Sequence, residues 1–294
     1  MSKLYDRKNK KIIEDTQYKN KALSFLYENA FGRALLKLLI LPFISKIVGK
    51  YYDSKGSTKQ IKKFIKDNNI DMSLYEKEEY NSFNEFFARK KILNEADLVA
   101  FKDEKALVSP ADSRVLIYKF SEDLKVNIKD SIYDIEDLTK MQKEELQDFK
   151  NGNVIIFRLC VDDYHRYCYI DDGKIINEKS IKGVLHTVSP ISKKYKIYKQ
   201  NHRVVSLLDT NNFGKMIYIE VGALLVGKIV NHDVKEFKKG DEKGYFKFGG
   251  STIVVITKDN IKIDDDILEN SKNDIETKVY YGEKIGEKNC NGDY

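Results

Sequence analysis

At 294 residues the chain is long enough for one large domain or a domain with an appendage, and its 41% hydrophobic and 33% charged residues exclude a disordered or collagen-like protein. Its 3 cysteines lack CxxC spacing and no secretory signal follows Met1, so a reduced cytosolic compartment is expected, without a disulfide framework or a cysteine zinc site. The net charge of +6 is uneven, because residues 1–63 hold 15 Lys and Arg against 5 Asp and Glu, a net +10, which leaves 6 − 10 = −4 for residues 64–294.

The basic N-terminal segment, residues 1–66, is predicted to be helical and to meet an anionic membrane surface. Its apolar stretch, residues 34–48, is shorter than the about 20 residues that span a bilayer. One helical face of this stretch collects apolar side chains, namely Leu35, Leu38, Leu39 and Pro42. A helix in the membrane interface fits this pattern, and so does a helix packed on the body of the protein. No nucleic-acid recognition motif accompanies the lysines, so nucleic acid is not an expected partner.

After this segment the pattern changes from helical to β-rich. Residues 82–91, SFNEFFARKK, are predicted to form a short amphipathic helix with Phe83, Phe86 and Phe87 as its apolar stripe. From about residue 105, β-branched runs bounded by Gly, Asn and Asp predict strands. We therefore predict an α+β fold in two parts: a helical, basic, membrane-associating segment at residues 1–66, and a β-rich catalytic domain at residues 67–294.

The stretch richest in chemical information is KKGDEKGYFKFGGSTIVVI, residues 238–256. Its local pattern favours a glycine turn that enters a strand. A chemical interpretation is that Gly249 and Gly250 permit a backbone geometry in which Ser251 Oγ attacks the Gly250 carbonyl carbon. The ester formed is less stable than the amide, so strain and stabilisation of the oxyanion must assist the shift. β-Elimination and loss of ammonia would then convert Ser251 into a pyruvoyl group.

Seven motifs, in order along the chain, resemble those of the phosphatidylserine decarboxylase family. They are FNEFFARK (83–90), SPADSRV (109–115), VDDYHRY (161–167), GVLHTVSP (183–190), NHRVV (201–205), VGALLVGKIV (221–230) and GDEKGYFKFGGST (240–252). The resemblance implies a proenzyme that cleaves itself between Gly250 and Ser251 into a large chain, residues 1–250, and a small chain, residues 251–294. It also implies a covalent pyruvoyl cofactor made from Ser251, with neither pyridoxal phosphate nor a metal.

The resemblance assigns roles to Asp112 and His165. Taken alone, Asp112 is expected to be a turn residue before a strand, and His165 to be structural. By resemblance, Asp112 is the relay aspartate that orients a histidine, and this histidine deprotonates Ser251. His165 is the preferred acid–base residue, which also protonates the substrate Cα after decarboxylation. Ser113 stands where the family usually has glycine.

Position 168 departs from the family pattern, because many members have there a second histidine that pairs with the relay aspartate, and this chain has Cys168. Three explanations stay open. His165 serves both steps, Cys168 acts as a weaker thiol base, or His186 moves into the site. Residues 165 and 168 would face opposite sides of a regular strand, so a turn must bring both to one site. His186 is otherwise expected to be structural.

The activity implied by the resemblance is conversion of phosphatidylserine to phosphatidylethanolamine and CO₂ through a Schiff base on the pyruvoyl group, which accepts the electrons. The expected partners are phosphatidylserine in an anionic membrane and the cleaved small chain, with the protein peripheral on the cytoplasmic face of the cell membrane. Homo-oligomerisation is left open. The alternatives are a pyruvoyl decarboxylase of a soluble amino acid and a non-catalytic membrane-binding relative in which Cys168 marks decay.

Overall fold

The predicted α+β class is confirmed by the computed structural model, in which helices lie mainly in the N-terminal third and a large sheet forms the body. The structure describes residues 3–14, 21–120, 123, 125–128, 131–187, 197–224, 228–249 and 251–289. None of the helices in these ranges is long and apolar enough to cross a bilayer.

Strands and helices alternate irregularly along the chain. The described strands are β1 (Lys3–Asp6), β2 (Lys11–Glu14), β3 (Ala106–Val108), β4 (Ser113–Lys119), β5 (Lys125–Ile128), β6 (Ser131–Asp134), β7 (Asn153–Leu159), β8 (Arg166–Cys168), β9 (Gly173–Ile181), β10 (Arg203–Thr210), β11 (Gly214–Gly222), β12 (Ile229–Asn231), β13 (Glu236–Phe237), β14 (Glu242–Phe246), β15 (Ser251–Ile256), β16 (Ile261–Ile263), β17 (Glu276–Val279) and β18 (Lys284–Lys288). The described helices are α1 (Lys21–Glu28), α2 (Ala30–Leu39), α3 (Pro42–Tyr52), α4 (Ile61–Asp67), α5 (Phe83–Phe87), α6 (Glu95–Lys102), α7 (Ile135–Thr139), α8 (Lys143–Leu146), α9 (Ile197–Gln200) and α10 (Asp265–Lys272). Short 3₁₀ helices occur at Lys55–Gln60, Met72–Leu74 and Gln147–Phe149.

The main sheet has the strand order β13-β9-β10-β11-β15-β7-β4-β17-β1-β2 in the described part of the chain. Its central strand β15 is buried along its whole length. Ile253 and Val255 enter one hydrophobic core, and Val254 and Ile256 enter the other. A strand covered on both faces needs a nearly continuous apolar sequence, which explains the run STIVVI.

A small sheet has the strand order β12-β14-β8, and its strand β14 precedes β15 along the chain. β14 pairs with both neighbours and leads directly into residues 247–249, which precede Ser251. The fold therefore places Ser251 at the junction between the small sheet and the centre of the main one.

The prediction that residues 1–66 are helical is wrong at the start of the segment. β1 pairs in parallel with β17, and β2 pairs antiparallel with β1 at the edge of the main sheet. Leu4 is buried in this arrangement. Each of the two strands has four residues, which is too short for a strand pattern to be visible in the sequence. The division into parts at residues 66 and 67 stays a prediction.

The apolar stretch at residues 34–48 forms parts of two helices and not one. α2 ends at Leu39, and Pro42 is the first residue of α3. Proline lacks an N–H donor and is tolerated in the first helical turn but not in the interior, which explains the break. Leu36 is buried, whereas Leu35 and Leu38 are 40% and 58% exposed, so the stretch both packs on the body and presents apolar side chains outward.

Candidate active site

Ser251 is the first residue of β15 and is fully buried. It pairs with Gly222 of β11 on one side and with Leu159 of β7 on the other. Its Oγ has no hydrogen-bond partner among the described residues. Gly249 has φ 138°, a conformation that residues with a side chain rarely adopt, which explains the first glycine of the motif. Gly250, the other residue of the predicted cleavage site, lies outside the described residues.

Residues of the FNEFFARK motif contact Phe248, which lies just before Ser251. Ser82 caps α5, because its Oγ accepts a hydrogen bond from Glu85 N. Asn84 Oδ1 accepts a hydrogen bond from Phe248 N at 3.0 Å. Phe83 and Phe87 both pack against the Phe248 ring, with centroid distances of 4.9 and 5.2 Å. The predicted apolar stripe of this helix is confirmed, and its contacts position residue 248.

His165 lies in the connection between β7 and β8 and is fully buried. Its Nδ1 is 2.9 Å from the Asp163 carbonyl oxygen, and its ring packs on Phe87 at a centroid distance of 4.0 Å. Its Nε2 has no hydrogen-bond partner among the described residues. Burial lowers the pKa of His165 from 6.5 to about 3, so the imidazole is neutral at pH 7. Because Nδ1 faces a carbonyl oxygen, the neutral ring carries its proton on Nδ1, and Nε2 is free to act as a base.

Asp112 lies, as expected, in a bend before β4, but its contacts in the described structure are to groups other than His165. Its Oδ1 accepts a hydrogen bond from Tyr281 N at 2.7 Å and lies 3.7 Å from Lys91 Nζ. The relay role of Asp112 stays a prediction.

Cys168 lies close to the segment that carries Asp112. Its Sγ is 3.6 Å from the Pro110 carbonyl oxygen, and it packs with Tyr164 and Tyr281. Burial raises the pKa of Cys168 to about 12, so the thiol is protonated and is a poor base at neutral pH. Of the three explanations for position 168, the thiol base is therefore the one that this environment disfavours.

His186 is buried, and its Nδ1 is 3.2 Å from the Tyr27 hydroxyl. Asn201, for which the sequence analysis predicts no role, connects this loop to the strand beside Ser251. Asn201 Nδ2 donates hydrogen bonds to the carbonyl oxygens of His186 and Gly222, both at 2.8 Å. Since Gly222 pairs with Ser251, Asn201 fixes one wall of the site. The contacts of His186 agree with a structural role.

Arg89, in FNEFFARK, is a buried cation that the sequence reasoning missed. It is 1% exposed, and its Nε and Nη1 have no hydrogen-bond partner among the described residues. Its guanidinium carbon lies 4.4 Å from the centre of the Tyr75 ring. Its charge also disfavours protonation of His165, although desolvation is the larger cause of the lowered pKa.

Cys160, Asp162 and Asp163 bring potential metal-ligand atoms within 4.8 Å of one another. Cations already face this cluster. Arg158 Nη1 donates to Cys160 Sγ at 3.0 Å, and Arg114 Nη1 lies 3.2 Å from the Asp163 carboxylate. The local charge therefore opposes a metal ion, and the cluster is better explained as support for the turn before His165.

A model of one enzyme family, phosphatidylserine decarboxylase, matches residues 83–287, a range that includes the site described above. A phosphatidylserine decarboxylase proenzyme 2 of Clostridium acetobutylicum is 55% identical over 289 residues, which cover 97% of this chain and 98% of that protein. A phosphatidylserine decarboxylase proenzyme of Clostridium tetani is 42% identical over 99% of both chains, and one of Clostridium botulinum is 39% identical over 98% of this chain and 99% of that protein. The chain belongs to the phosphatidylserine decarboxylase family, as its motifs predicted.

Proposed function

We propose that the chain is a self-processing enzyme that converts phosphatidylserine to phosphatidylethanolamine and CO₂ with a pyruvoyl group made from Ser251. The observation that carries the proposal is the buried Oγ of Ser251 at the start of a central strand, which has no hydrogen-bond partner in the part of the chain that the structure describes. An unsatisfied buried hydroxyl costs folding free energy, and such costs are typical of groups kept for chemistry. Relatives of this chain are named proenzymes, which supports processing of the chain.

His165 is the base that we assign to self-cleavage. Its buried imidazole is neutral, and we assign its Nε2, which has no partner among the described residues, to accept the proton of Ser251 Oγ. Oγ then attacks the Gly250 carbonyl carbon, the peptide C–N bond breaks, and His165 returns the proton to the leaving Ser251 nitrogen, which gives an ester and a free amine. Loss of the Ser251 Cα proton breaks the Cβ–Oγ bond and releases Gly250 as a carboxylate. Hydrolysis of the remaining dehydroalanine releases ammonia and leaves the pyruvoyl group at residue 251.

Once formed at residue 251, the pyruvoyl group would supply a ketone as the acceptor for the electrons of the bond to CO₂. The surrounding residues exclude water and hold protons. Phe87 and Phe248 shield the site, and His165 protonates the substrate Cα. This acid step needs a higher pKa than burial alone allows, and a substrate anion next to His165 would raise it.

We further assign the protein to the cytoplasmic face of the cell membrane as a peripheral protein. The side chains that support this are six large, apolar, exposed side chains that lie close together in sequence in the α2–α3 region, namely Phe31, Leu35, Leu38, Leu41, Phe43 and Ile47. Exposed apolar patches of this kind mark binding surfaces, and the excess of lysine in residues 1–63 suits an anionic bilayer.

Denaturing intact-mass measurement of the purified protein tests processing. We expect two pieces, with the small one spanning residues 251–294 and blocked by a pyruvoyl group, whereas Ser251→Ala stays whole. Ser206→Ala is the matched control, since Ser206 is a buried serine of β10 whose hydroxyl is bonded to Glu178, and it should be cut like the wild type. An uncut wild-type chain would overturn the mechanism and favour the non-catalytic alternative.

Release of CO₂ from phosphatidylserine in detergent micelles, compared with free serine, tests the substrate. Decarboxylation of the lipid alone supports the proposal. Equal rates on free serine would favour the soluble amino-acid alternative.

A further inference from the structure

A cavity of about 720 Å³ lies between α3 and the end of the main sheet that holds the site. Two of the α3 residues that line it are small, namely Ser45 and the buried Gly49, which lie one turn apart. Opposite them lie Gly183 and the buried Leu185. Small and apolar walls leave room for a ligand with an apolar part.

The rim of this cavity is strongly basic. It carries Lys46, Lys50, Lys182, Lys228 and Lys247, which we call the lysine rim, against one carboxylate, that of Asp53. Lys247 Nζ is 2.8 Å from Asp53 Oδ1. Within the ranges that the structure describes, the other four lysines form no ion pair, so their charge is available to an anion.

The cavity adjoins the strand end at Ser251 on two sides. Its wall residue His202 accepts a hydrogen bond from Gly222 N through its carbonyl oxygen, and Gly222 pairs with Ser251. On the other side, Lys247 N donates to the Lys228 carbonyl oxygen, four residues before Ser251 along the chain. A ligand on the lysine rim therefore lies beside both segments that converge on the reactive residue.

The outer end of the cavity meets the apolar surface. Pro42, Lys46 and Lys50 line the cavity from one side of α3, while Phe43 and Ile47 on the same helix are 68% and 52% exposed. An amphiphile with an anion near one end can thus place the anion on the lysines and its chains beside these two side chains.

We propose that the lysine rim binds the phosphodiester of an anionic phospholipid headgroup, and so directs the amino-acid part of that headgroup toward residue 251. This inference rests on the proposed function, since it assigns the substrate phosphate to a site of its own. The occupant is a membrane lipid, because the cavity joins an exposed apolar surface that a free phosphate ion would not use.

Calorimetric titration of the Ser251→Ala proenzyme with dihexanoyl phosphatidylserine below its micellar concentration tests the inference without turnover. Lys182→Gln with Lys228→Gln should raise the Kd about tenfold, the loss expected for one charge-assisted hydrogen bond. The charge-matched control is Lys37→Gln with Lys62→Gln, two exposed lysines of α2 and α4 outside the cavity, and it should change the Kd less than about twofold. Inorganic phosphate, titrated in parallel, should bind at least about tenfold more weakly than the lipid.

Equal Kd values for the rim and control variants, or no saturable binding, would overturn the inference. Phosphate binding as tight as lipid binding would also overturn it, since the site would then be a general anion site. Decarboxylation measured on proteins that retain Ser251 distinguishes failure of the lysine rim from failure of the proposed function. Active protein with a rim-independent Kd contradicts only the lysine rim, while rim-dependent binding in a protein that is never cut contradicts only the proposed mechanism.

Discussion

At the scale of single residues, burial sets the protonation state of His165 and makes it sensitive to pH. In the folded protein the pKa of His165 is about 3, whereas in the unfolded chain it has the ordinary histidine value of 6.5. Below pH 6.5 the unfolded state therefore binds a proton that the folded state refuses. The free energy of unfolding is therefore highest above pH 6.5, and it decreases as the pH falls from 6.5 toward the pKa that His165 has in the folded protein.

We expect the free energy of unfolding of the Ser251→Ala proenzyme to fall by about 2 kcal/mol from pH 7 to pH 5 through His165 alone. Urea unfolding at both pH values, with and without His165→Gln, measures this as a difference of differences. The pKa values of His186 and His202 are also lowered by burial, and they contribute equally to both proteins. The same pH dependence in the two proteins would contradict a neutral His165.

The sequence indicates candidate reactive residues more readily than their contacts. Ser251 and His165 stand in short motifs whose residue types carry the chemistry. In contrast, Asp112 meets Tyr281 N across a separation of 169 residues, and no local pattern indicates that contact. Asn201 and Arg89 were likewise missed, because their significance depends on burial and on partners brought from elsewhere in the fold.

At the scale of elements, the β1–β2 hairpin joins residues far apart in sequence. Arg7, just after β1, lies against three carboxylates: Asp264 at 2.5 Å, Asp266 at 2.8 Å and Glu283 at 3.1 Å. Its Nη1 also donates to the Lys284 carbonyl oxygen. All of these partners belong to the proposed small chain, as does β17, with which β1 pairs. The hairpin therefore attaches the small chain in addition to the pairing of β15 with β11 and β7, of β17 with β4 and of β18 with β3.

Arg7→Ala should lower the free energy of unfolding by about 2 kcal/mol, because it leaves three partly buried carboxylates facing one another. We therefore expect the two chains of the cleaved protein to separate at a lower urea concentration. Size-exclusion chromatography in urea measures the midpoint of this separation. Lys8→Ala removes an exposed neighbouring cation and is the control. An unchanged midpoint for Arg7→Ala would show that the ion pairs add nothing to chain retention.

Strand β15 was predictable because its apolar run is long and follows two glycines. β1 and β2 were not, since four-residue strands at a sheet edge have too little periodicity to register. The break between α2 and α3 has a visible signal, Pro42, whose usual place in the first turn of a helix was available from sequence.

At the scale of the whole molecule, the exposed apolar side chains of α3 and the lysines beside them lie in one region. Phe43→Ser with Ile47→Ser should weaken binding to phosphatidylserine vesicles at least about tenfold, since each large apolar side chain gains about 1.5–3 kcal/mol on full burial. Sedimentation with the vesicles measures the bound fraction. The matched control is Ile92→Ser with Val99→Ser, which removes equally exposed apolar residues outside α2 and α3. Equal loss in both pairs would mean that vesicle binding is not localised to α3.

The interleaved sheet also determines when the protein can mature. β15 inserts between β11 and β7, and β17 inserts between β4 and β1, so the earliest described strand finds its parallel partner 272 residues later, as Leu4 opposite Glu276. Contacts between such distant residues cannot form while the chain is still being synthesised. A nascent chain that stops short of residue 276 therefore lacks the edge of the sheet, and we expect the proposed self-cleavage to follow completion of this sheet.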